Sequence, residues 1–293
     1  MSDTASWEPH TVVTEELIDP APVAALAALF DDGLPAPAPG DPLPPLWHWV
    51  ALPRWSVSSQ LSVDGHPFRG SFLPPVDLPR RMFAGGSVRF TGTVEVGDTV
   101  GREAAVESVT EKNGRSGKLV IVVTSTTLYA PDGTPALTEK QNIIYREAAA
   151  PSSGSARAPE AAAAHVPSGP PIVADGAGVW DFRTDPTLLM RFSAATANAH
   201  RIHYDWPYAT VVEGYPGLVV HGPLMTLSLA ETHRLSGDLE PVTALEHRNA
   251  APLFCGQSAT LRARRTGAGK TVELFGPQGA GGGAGTTLEL TLT

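Results

Sequence analysis

The sequence predicts an α+β protein made of two similar halves, each combining a helix with an antiparallel sheet. Three observations support this class. Each half begins with an Asp-Pro pair followed by a helical pattern of apolar residues, and each half ends in short β-rich segments. A tract rich in Ala, Pro, Ser and Gly separates the halves. With 293 residues, the chain is long enough for two domains of ordinary size.

The first helix of each half has a clear start signal. Asp19 and Asp185 each precede a proline, and aspartate at the N-cap followed by proline at the first helical position is a favoured helix beginning. Apolar residues then recur at helical spacing. They are Val23, Leu26, Leu29 and Phe30 in the first half, and Leu188, Leu189, Phe192 and Ala195 in the second. We therefore expect one amphipathic helix at each place.

Strands are predicted to close each half. They are rich in β-branched residues and alternate apolar with polar positions, with Asn-Gly or Asp-Gly turns in the first half. The predicted segments are 86–96, 99–112, 117–130 and 135–147, then 242–249, 258–265, 271–276 and 286–292. An arginine followed eight residues later by a turn glycine also recurs, as Arg89 with Gly97 and Arg248 with Gly256. We interpret the chain as an internal duplication.

The halves differ in their middle segments. Residues 221–235, HGPLMTLSLAETHRL, have a helical pattern and are expected to form a helix across the second sheet. The corresponding residues 47–81 are interrupted by prolines, which a long helix does not tolerate. We therefore expect the central helix to be shortened or lost in the first half. That loss would leave room over the first sheet for a long ligand.

These patterns divide the chain into an N-terminal half at 1–146, a linker at 147–171 and a C-terminal half at 172–293. The linker, EAAAPSSGSARAPEAAAAHVPSGPP, is dominated by residues that cannot form a buried face.

The composition excludes several function classes. The formal net charge is −9 and no basic stripe is present, which argues against nucleic acid as the main partner. Cys255 is the single cysteine, so disulfides within the chain and a cysteine-based metal site are excluded. The histidines lack a metal-ligand spacing, so no metal is expected. No stretch reaches the roughly 20 apolar residues of a membrane helix, and no signal peptide is visible. We expect a cytoplasmic protein without membrane contact.

Residues 198–205, NAHRIHYD, are the most informative motif. They collect two histidines, an asparagine, an arginine, a tyrosine and an aspartate in eight residues. A core segment would not gather so many polar side chains, and a solvated loop has no need of two imidazoles. The motif is followed by YPGLVVHGPLM at 215–225, where a Gly-Pro pair opens the predicted central helix.

Together these segments resemble the MaoC-like branch of the hotdog-fold hydratases and dehydratases. The family signature is Asp-x-Asn-Pro-x-His. His203 matches its histidine, Asn198 stands at its catalytic aspartate, His200 at its asparagine and Arg201 at its proline. The sub-branch that includes mesaconyl-CoA or itaconyl-CoA hydratases and fungal mitochondrial hydroxyacyl-thioester dehydratases is the most similar, also through RRMFAGGSVRF at 80–90.

The resemblance implies a tandem, or double, hotdog fold, with the two sheets joined edge to edge. It places catalysis in the C-terminal half and leaves the N-terminal half to accommodate the ligand. It also implies an acyl-CoA thioester as substrate, no redox cofactor and no metal.

The chemistry of hydration gives roles to three residues. Adding water to the double bond of a 2-enoyl thioester needs a base, an acid and donors for the thioester oxygen. His203 can be the base in hydration and the acid in dehydration. Asn198 cannot usefully carry a proton, but its amide can orient the water. The backbone N–H of Gly222, at the helix N-terminus, is the candidate oxyanion donor. If two proton transfers are needed at separate positions, the second must use His203 again, the water or an unidentified group.

Two arginines are candidates for binding the acyl group or the carrier. Arg201 could grip a free carboxylate of a dicarboxylic substrate, or it could form an ion pair with Asp205. Arg81, or its neighbour Arg80, could meet the substrate carboxylate or the phosphates of CoA.

Two histidines beside the motif are further candidates for substrate binding. His200 is either a contact of the substrate or a neighbour that orients His203. His221 either lines the pocket or packs at the end of a strand.

We therefore expect reversible hydration of a 2-enoyl-CoA, with a short branched or dicarboxylic acyl group, and we name a homodimer as the candidate assembly. Three alternatives stay open. A 3-hydroxyacyl-carrier-protein dehydratase would use the same chemistry, but its carrier would call for a basic docking patch. A hotdog thioesterase would need a carboxylate where Asn198 stands. A non-catalytic acyl-CoA binder would explain Asn198 as decay of the site.

Overall fold

A computed structural model of the chain describes residues 7–114, 117–147, 169–267, 269–277 and 283–293. Within these residues, eleven strands form one antiparallel sheet in the order β1-β3-β4-β5-β2-β8-β11-β10-β9-β7-β6. The strands are β1 (Thr11–Leu17), β2 (Arg80–Phe90), β3 (Thr99–Gly114), β4 (Gly117–Tyr129), β5 (Pro135–Arg146), β6 (Ile172–Gly176), β7 (Val179–Phe182), β8 (Val242–Asn249), β9 (Ala259–Thr266), β10 (Gly269–Phe275) and β11 (Thr286–Leu292). The helices are α1 (Pro20–Phe30), α2 (His48–Ala51), α3 (Pro186–Ala195) and α4 (Gly222–Leu235).

The two halves join through one pair of strands. β2 of the first half pairs with β8 of the second, from Gly85 opposite Arg248 to Arg89 opposite Ala244. A Cβ on Gly85 would lie 2.3 Å from the carbonyl oxygen of His247, and one on Gly86 would lie 2.0 Å from that of Lys140. The Gly-Gly pair therefore allows the backbones to approach closely at this junction. The expected edge-to-edge joining of the sheets is confirmed.

The two capped helices form as predicted. Asp19 Oδ1 accepts the N–H of Ala21 at 2.8 Å, and Asp185 Oδ1 accepts the N–H of Leu188 at 2.8 Å. The helices α1 and α3 pack against each other across the halves. Their buried faces contain the predicted apolar positions, with Ala195 partly buried.

The central helix α4 is nearly surrounded by protein. It lies against β8, β10 and β11 and also contacts β2 of the first half. Ten of its residues are buried, from Leu224 to His233. In the first half, the only α-helix described after α1 is the four-residue α2, as the proline interruptions predicted. Trp47, at the N-terminus of α2, donates its indole N–H to Glu231 of α4 at 3.0 Å.

The shortened helix leaves room over the first sheet. A cavity of about 1150 Å³ lies between the long loop after α2, the first sheet and the start of α4. Residues of both halves line it. The expected space for a ligand is therefore present.

Three strands and both ends of β2 differ from the prediction. β1, β6 and β7 were not predicted, since β6 and β7 are short and the sequence of β1, TVVTEEL, does not alternate apolar with polar residues. β2 begins at Arg80, six residues before its predicted start, and ends at Phe90. Most of the predicted linker, residues 148–168, lies outside the described residues, so the domain boundaries stay a prediction. Among the described residues, no helix combines the length and apolar character needed to cross a membrane.

Candidate active site

His203 lies on the wall of the cavity, in a 3₁₀ turn at Arg201–His203. Its Nδ1 is 2.7 Å from the carbonyl oxygen of Val219. Because a carbonyl only accepts, Nδ1 carries the proton and Nε2 holds the lone pair. Burial lowers the pKa of His203 to about 3, which keeps the imidazole neutral near pH 7. The ring is therefore fixed in the tautomer of a general base.

His221 lies behind His203 and supports it. The two rings are stacked with centroids 3.6 Å apart and an interplanar angle of 17°. His221 is fully buried and shares a hydrogen bond of 2.8 Å between its Nε2 and the hydroxyl of Ser193. It does not line the cavity, contrary to one of the two predicted alternatives, because the ring of His203 and the end of α3 cover it.

Asn198 also lines the cavity, at the turn after α3. Its Oδ1 accepts the backbone N–H of His200 at 3.1 Å. The amide is thus held by the turn, and its Nδ2 has no hydrogen-bond partner among the described residues. The turn includes Ala197 in a left-handed conformation, with φ of +51°. Asn198 therefore presents an N–H donor on the cavity wall, as a water-orienting role requires.

Gly222 is the first residue of α4 and borders the same cavity. Its N–H is one of the amides that a helix N-terminus leaves without an intrahelical acceptor. A Cβ at this position would lie 3.1 Å from Cδ1 of Phe83 and 3.4 Å from Nδ2 of Asn249. Glycine therefore avoids a tight contact with the opposite wall at the point where a thioester oxygen would approach the helix dipole.

His200 lies between two other imidazoles. Its ring is edge-on to that of His203, with centroids 5.5 Å apart, and 4.3 Å from that of His66. Its Nε2 is 4.0 Å from Oε1 of Glu213. Burial, together with the neighbouring histidines, lowers the pKa of His200 to about 2. It lines the cavity as a neutral group, so both of its predicted roles stay open.

Arg201 is engaged within the protein. Its Nη2 is 2.7 Å from Oδ2 of Asp205, and its Nε donates to the same oxygen at 2.9 Å. Its Nη1 donates to the carbonyl of Val63 at 3.0 Å, and the guanidinium stacks on Tyr208 at 4.3 Å. This arrangement favours the ion-pair alternative over recognition of a substrate carboxylate.

Arg81, on β2, lies on the cavity wall. Within the part of the chain that the structure describes, it forms no ion pair or hydrogen bond, although it lines the cavity. The Nε of its neighbour Arg80 is 3.6 Å from Oε2 of Glu213, and the Arg80 guanidinium lies 4.6 Å from the centre of the Tyr215 ring. Burial lowers the pKa of Arg81, but an arginine stays charged at neutral pH. Arg81 is therefore placed to meet an anionic group.

The first half contributes two residues that the sequence analysis did not single out. Asp64 and His66 lie in a loop that reaches the motif of the second half, where the carbonyl of Asp64 accepts the N–H of Arg201 at 2.9 Å. His66 lines the cavity, and its Nδ1 is 3.3 Å from Oδ2 of Asp64. The Asp-Gly-His sequence at 64–66 was the one available signal, and it was interpreted as part of a loop.

We assign no metal to this cluster. Asp64, His66 and His200 bring one potential ligand atom each to within 4.8 Å of one another. However, the oxygens of Asp64 already accept from Ser62 and from the N–H and ring of His66. The positive charge of Arg81 also acts on both imidazoles. A cation would have to overcome both effects, and the expectation of no metal stays a prediction.

Comparison with known proteins defines the family. A sequence profile described as "Hydroxyacyl-thioester dehydratase type 2" matches residues 46–255. The chain belongs to this family. It is 42% identical over 283 residues to a mesaconyl-C(4)-CoA hydratase of Chloroflexus aurantiacus, covering 95% of both chains. A mitochondrial hydroxyacyl-thioester dehydratase type 2 of Schizosaccharomyces pombe is 36% identical over 93 residues, 30% of each chain. The predicted family is confirmed, and with it the enzyme class, a hydro-lyase.

Solved structures confirm the double hotdog fold. HtdX of Mycobacterium tuberculosis is 22% identical with a TM-score of 0.64, covering 97% of this chain and 100% of that one. A second protein of M. tuberculosis, described as having a double hotdog fold, is 17% identical with a TM-score of 0.56, covering 98% and 96%. A MaoC-like dehydratase of Phytophthora capsici is 15% identical with a TM-score of 0.59, covering 98% and 95%.

Proposed function

We propose that this protein reversibly hydrates the double bond of a short dicarboxylic 2-enoyl-CoA, with mesaconyl-C(4)-CoA as the first candidate. The identity of 42% to a hydratase of that name, across 95% of both chains, supports the substrate. One observation carries the chemistry. The carbonyl of Val219 fixes the tautomer of His203, whose neutral ring borders the cavity that Gly222 also lines at the start of α4.

In the hydration direction, His203 Nε2 accepts a proton from water as the water oxygen bonds to carbon 3. The Nδ2 of Asn198 holds that water in place. Electron density moves onto the thioester oxygen, which the N–H of Gly222 and the dipole of α4 stabilise. Carbon 2 then takes a proton from a second acid, which completes the hydration. In the reverse direction, that second group removes the proton of carbon 2, and the protonated His203 gives its proton to the leaving hydroxyl group. Asn198 and Gly222 act only through hydrogen bonds.

The position of Arg81 supports the proposal of a dicarboxylic acyl group. A free carboxylate buried in this cavity needs a paired cation, because an unpaired buried charge is strongly unfavourable. Arg81 offers a planar guanidinium that no described carboxylate pairs with, whereas Arg201 already pairs with Asp205. A substrate carboxylate on Arg81 would stand on the first-half side of the cavity, beside His66.

We propose CoA as the carrier rather than a carrier protein. The relative that is 42% identical over 95% of both chains is named as a hydratase of a CoA thioester, which supports CoA. The site residues proposed above need no redox cofactor or metal.

A substrate panel tests the proposal. The wild-type protein is offered mesaconyl-C(4)-CoA, itaconyl-CoA, crotonyl-CoA and a long-chain enoyl-CoA, and loss of enoyl-thioester absorbance and release of free CoA are both followed. We expect hydration of mesaconyl-C(4)-CoA at least about tenfold faster than that of crotonyl-CoA, which is about 1.4 kcal/mol of discrimination. Release of CoA without hydration would indicate a thioesterase. Turnover of enoyl-carrier-protein thioesters alone would indicate the carrier-protein dehydratase.

A further inference from the structure

We propose that His66, held by Asp64, is a second acid–base group of the active site and that the N-terminal half supplies it. This inference rests on the proposed function and deepens it. Hydration needs one group to take a proton from water and one to give a proton to carbon 2. Asn198 stands where the family has a catalytic aspartate, and an amide cannot take over that proton transfer.

The ring of His66 has surroundings similar to those of the His203 ring. Each ring has Nδ1 beside an oxygen acceptor, which is Oδ2 of Asp64 at 3.3 Å for His66 and the carbonyl of Val219 at 2.7 Å for His203. Each ring lines the cavity, and Nε2 is left to exchange a proton. An acid beside a histidine fixes its tautomer and stabilises its protonated form, as in the acid–histidine pairs of hydrolases.

The two histidines lie on either side of His200. The ring of His200 is 4.3 Å from that of His66 and 5.5 Å from that of His203, centroid to centroid. The proposed binding mode places the short acyl chain of the substrate between the two outer histidines. In this arrangement His203 serves carbon 3 and His66 serves carbon 2.

The charges around His66 make its protonation depend on the substrate. The groups that face it are Asp64 on its own loop, Arg69, Arg81 on β2, and His200 and His203 on the motif. Burial and the charge of Arg81 lower the pKa of His66 to about 4, against the opposing effect of Asp64. A substrate carboxylate paired with Arg81 would cancel that repulsion. A dicarboxylic substrate thus favours the protonated form of His66, which is the form that gives a proton to carbon 2.

Hydration moves one proton to His203 and one proton from His66. In hydration, the O–H bond of water breaks, its proton goes to Nε2 of His203, and the oxygen bonds to carbon 3. The electron pair of the double bond moves through carbon 2 to the thioester oxygen. The N–H bond at Nε2 of the protonated His66 then breaks, and its proton bonds to carbon 2 as the thioester carbonyl re-forms. A proton passes from His203 to His66 through solvent to restore the starting state.

Four variants test this role: His66→Ala, His66→Gln, Asp64→Asn and the control His10→Ala, an exposed histidine outside the cavity lining. Each is assayed for mesaconyl-C(4)-CoA hydration across pH 5 to 9, with and without added imidazole. We expect His66→Ala and His66→Gln to lose about 10²-fold in kcat, with KM within about threefold. Asp64→Asn should lose less, and His10→Ala should match the wild type.

Two readouts separate proton transfer from a structural role. In the wild type, the hydration rate should fall as rising pH deprotonates His66 in the complex, and both His66 variants should lack that fall. Imidazole should raise the rate of His66→Ala about tenfold or more and leave the wild type unchanged.

Three results bear against the proposal. Activity of both His66 variants within about threefold of the wild type overturns it. So does a loss that imidazole does not relieve and that leaves the shape of the pH profile unchanged. If the wild type itself hydrates no enoyl thioester, the proposed function fails together with this inference. If the wild type is active and both His66 variants match it, this inference fails and the proposed function stands.

Discussion

A Cβ atom on Gly65 would lie 1.8 Å from the carbonyl oxygen of Ala199. Gly65 belongs to the first-half loop that carries His66, and Ala199 belongs to the motif of the second half. Around this contact, Arg201 donates its backbone N–H to the carbonyl of Asp64 and a guanidinium N–H to the carbonyl of Val63. The halves therefore fit backbone to backbone beside the active site.

Gly65→Ala should separate this loop from the motif. Gly65 has φ of +93°, and its neighbour at 1.8 Å is backbone, so a methyl group can be accepted only if the loop moves. Gly40→Ala is the matched control, with φ of +89° and open space around its Cα. Both substitutions place a methyl group on a left-handed backbone, which should lower the stability of each variant by about 1 kcal/mol. We expect only Gly65→Ala to lose about tenfold or more in kcat. Equal kcat and equal Tm for the two variants would contradict the close fit.

Arg81→Met should change substrate preference. It removes the cation that we propose for the substrate carboxylate, so kcat/KM for mesaconyl-C(4)-CoA should fall about 10²-fold, as expected for the loss of a buried charged pair. Crotonyl-CoA has no free carboxylate, so its kcat/KM should change little or improve. Arg183→Met removes an exposed pair with Asp181 and serves as the control. An equal loss with both substrates would show that Arg81 acts in the fold or on the phosphates of CoA rather than on the substrate carboxylate.

Asn198→Asp should move the pH profile of hydration. Because burial lowers the pKa of His203 to about 3, the base stays neutral and wild-type hydration should show no acid limb above pH 5. A carboxylate at position 198 would favour the protonated imidazoles of His200 and His203 and raise their pKa. The acid limb should therefore move to higher pH. We would measure kcat/KM from pH 4.5 to 8, and an unchanged profile would show that position 198 does not act on His203.

Glu231→Gln should reduce the pH dependence of stability. Glu231 is 1% exposed, accepts from Trp47 at 3.0 Å and pairs with Arg234, and burial raises its pKa to about 7. The folded state thus binds this proton more tightly than the unfolded chain does. Its stabilisation is present below pH 4.5 and is lost as pH rises through about 7. The free energy of unfolding should fall from pH 5 to 8 by up to about 3 kcal/mol more in the wild type than in Glu231→Gln.

Urea unfolding at pH 5 and pH 8 measures this difference. Glu111→Gln, at an exposed pair with Lys118, is the control and should behave as the wild type does. If Glu231→Gln and the wild type respond equally to pH, Glu231 is ionised at both values, and its pair with Arg234 outweighs its burial.

Much of the fold was predictable because its signals are local. The Asp-Pro starts at Asp19 and Asp185 and the apolar pattern of α4 each lie within one element, and the structure places helices at all three. Long, alternating strands were found for the same reason. β6 and β7 are only five and four residues long, too short for alternation to be seen.

The site was predictable only where its residues are close in sequence. Asn198 and His203 are five residues apart, and both line the cavity. The contact of Asp64 with Arg201 joins residues far apart in the chain and depends on the left-handed backbone at Gly65, which no spacing rule indicates. His221 shows the opposite limit: it is the N-cap residue of α4, and its place in the sequence could not show whether its ring lines the cavity or packs behind His203.

The proposed function depends most on His203, which moves the proton between water and substrate. The most direct test is the single-turnover rate of mesaconyl-C(4)-CoA hydration by the wild type, His203→Ala and His203→Asn, with His10→Ala as the control and thermal unfolding as the check on folding. We predict that both His203 variants stay folded and lose at least about two orders of magnitude in rate, while His10→Ala keeps the wild-type rate. Folded His203 variants that hydrate the substrate within about tenfold of the wild-type rate would contradict the account.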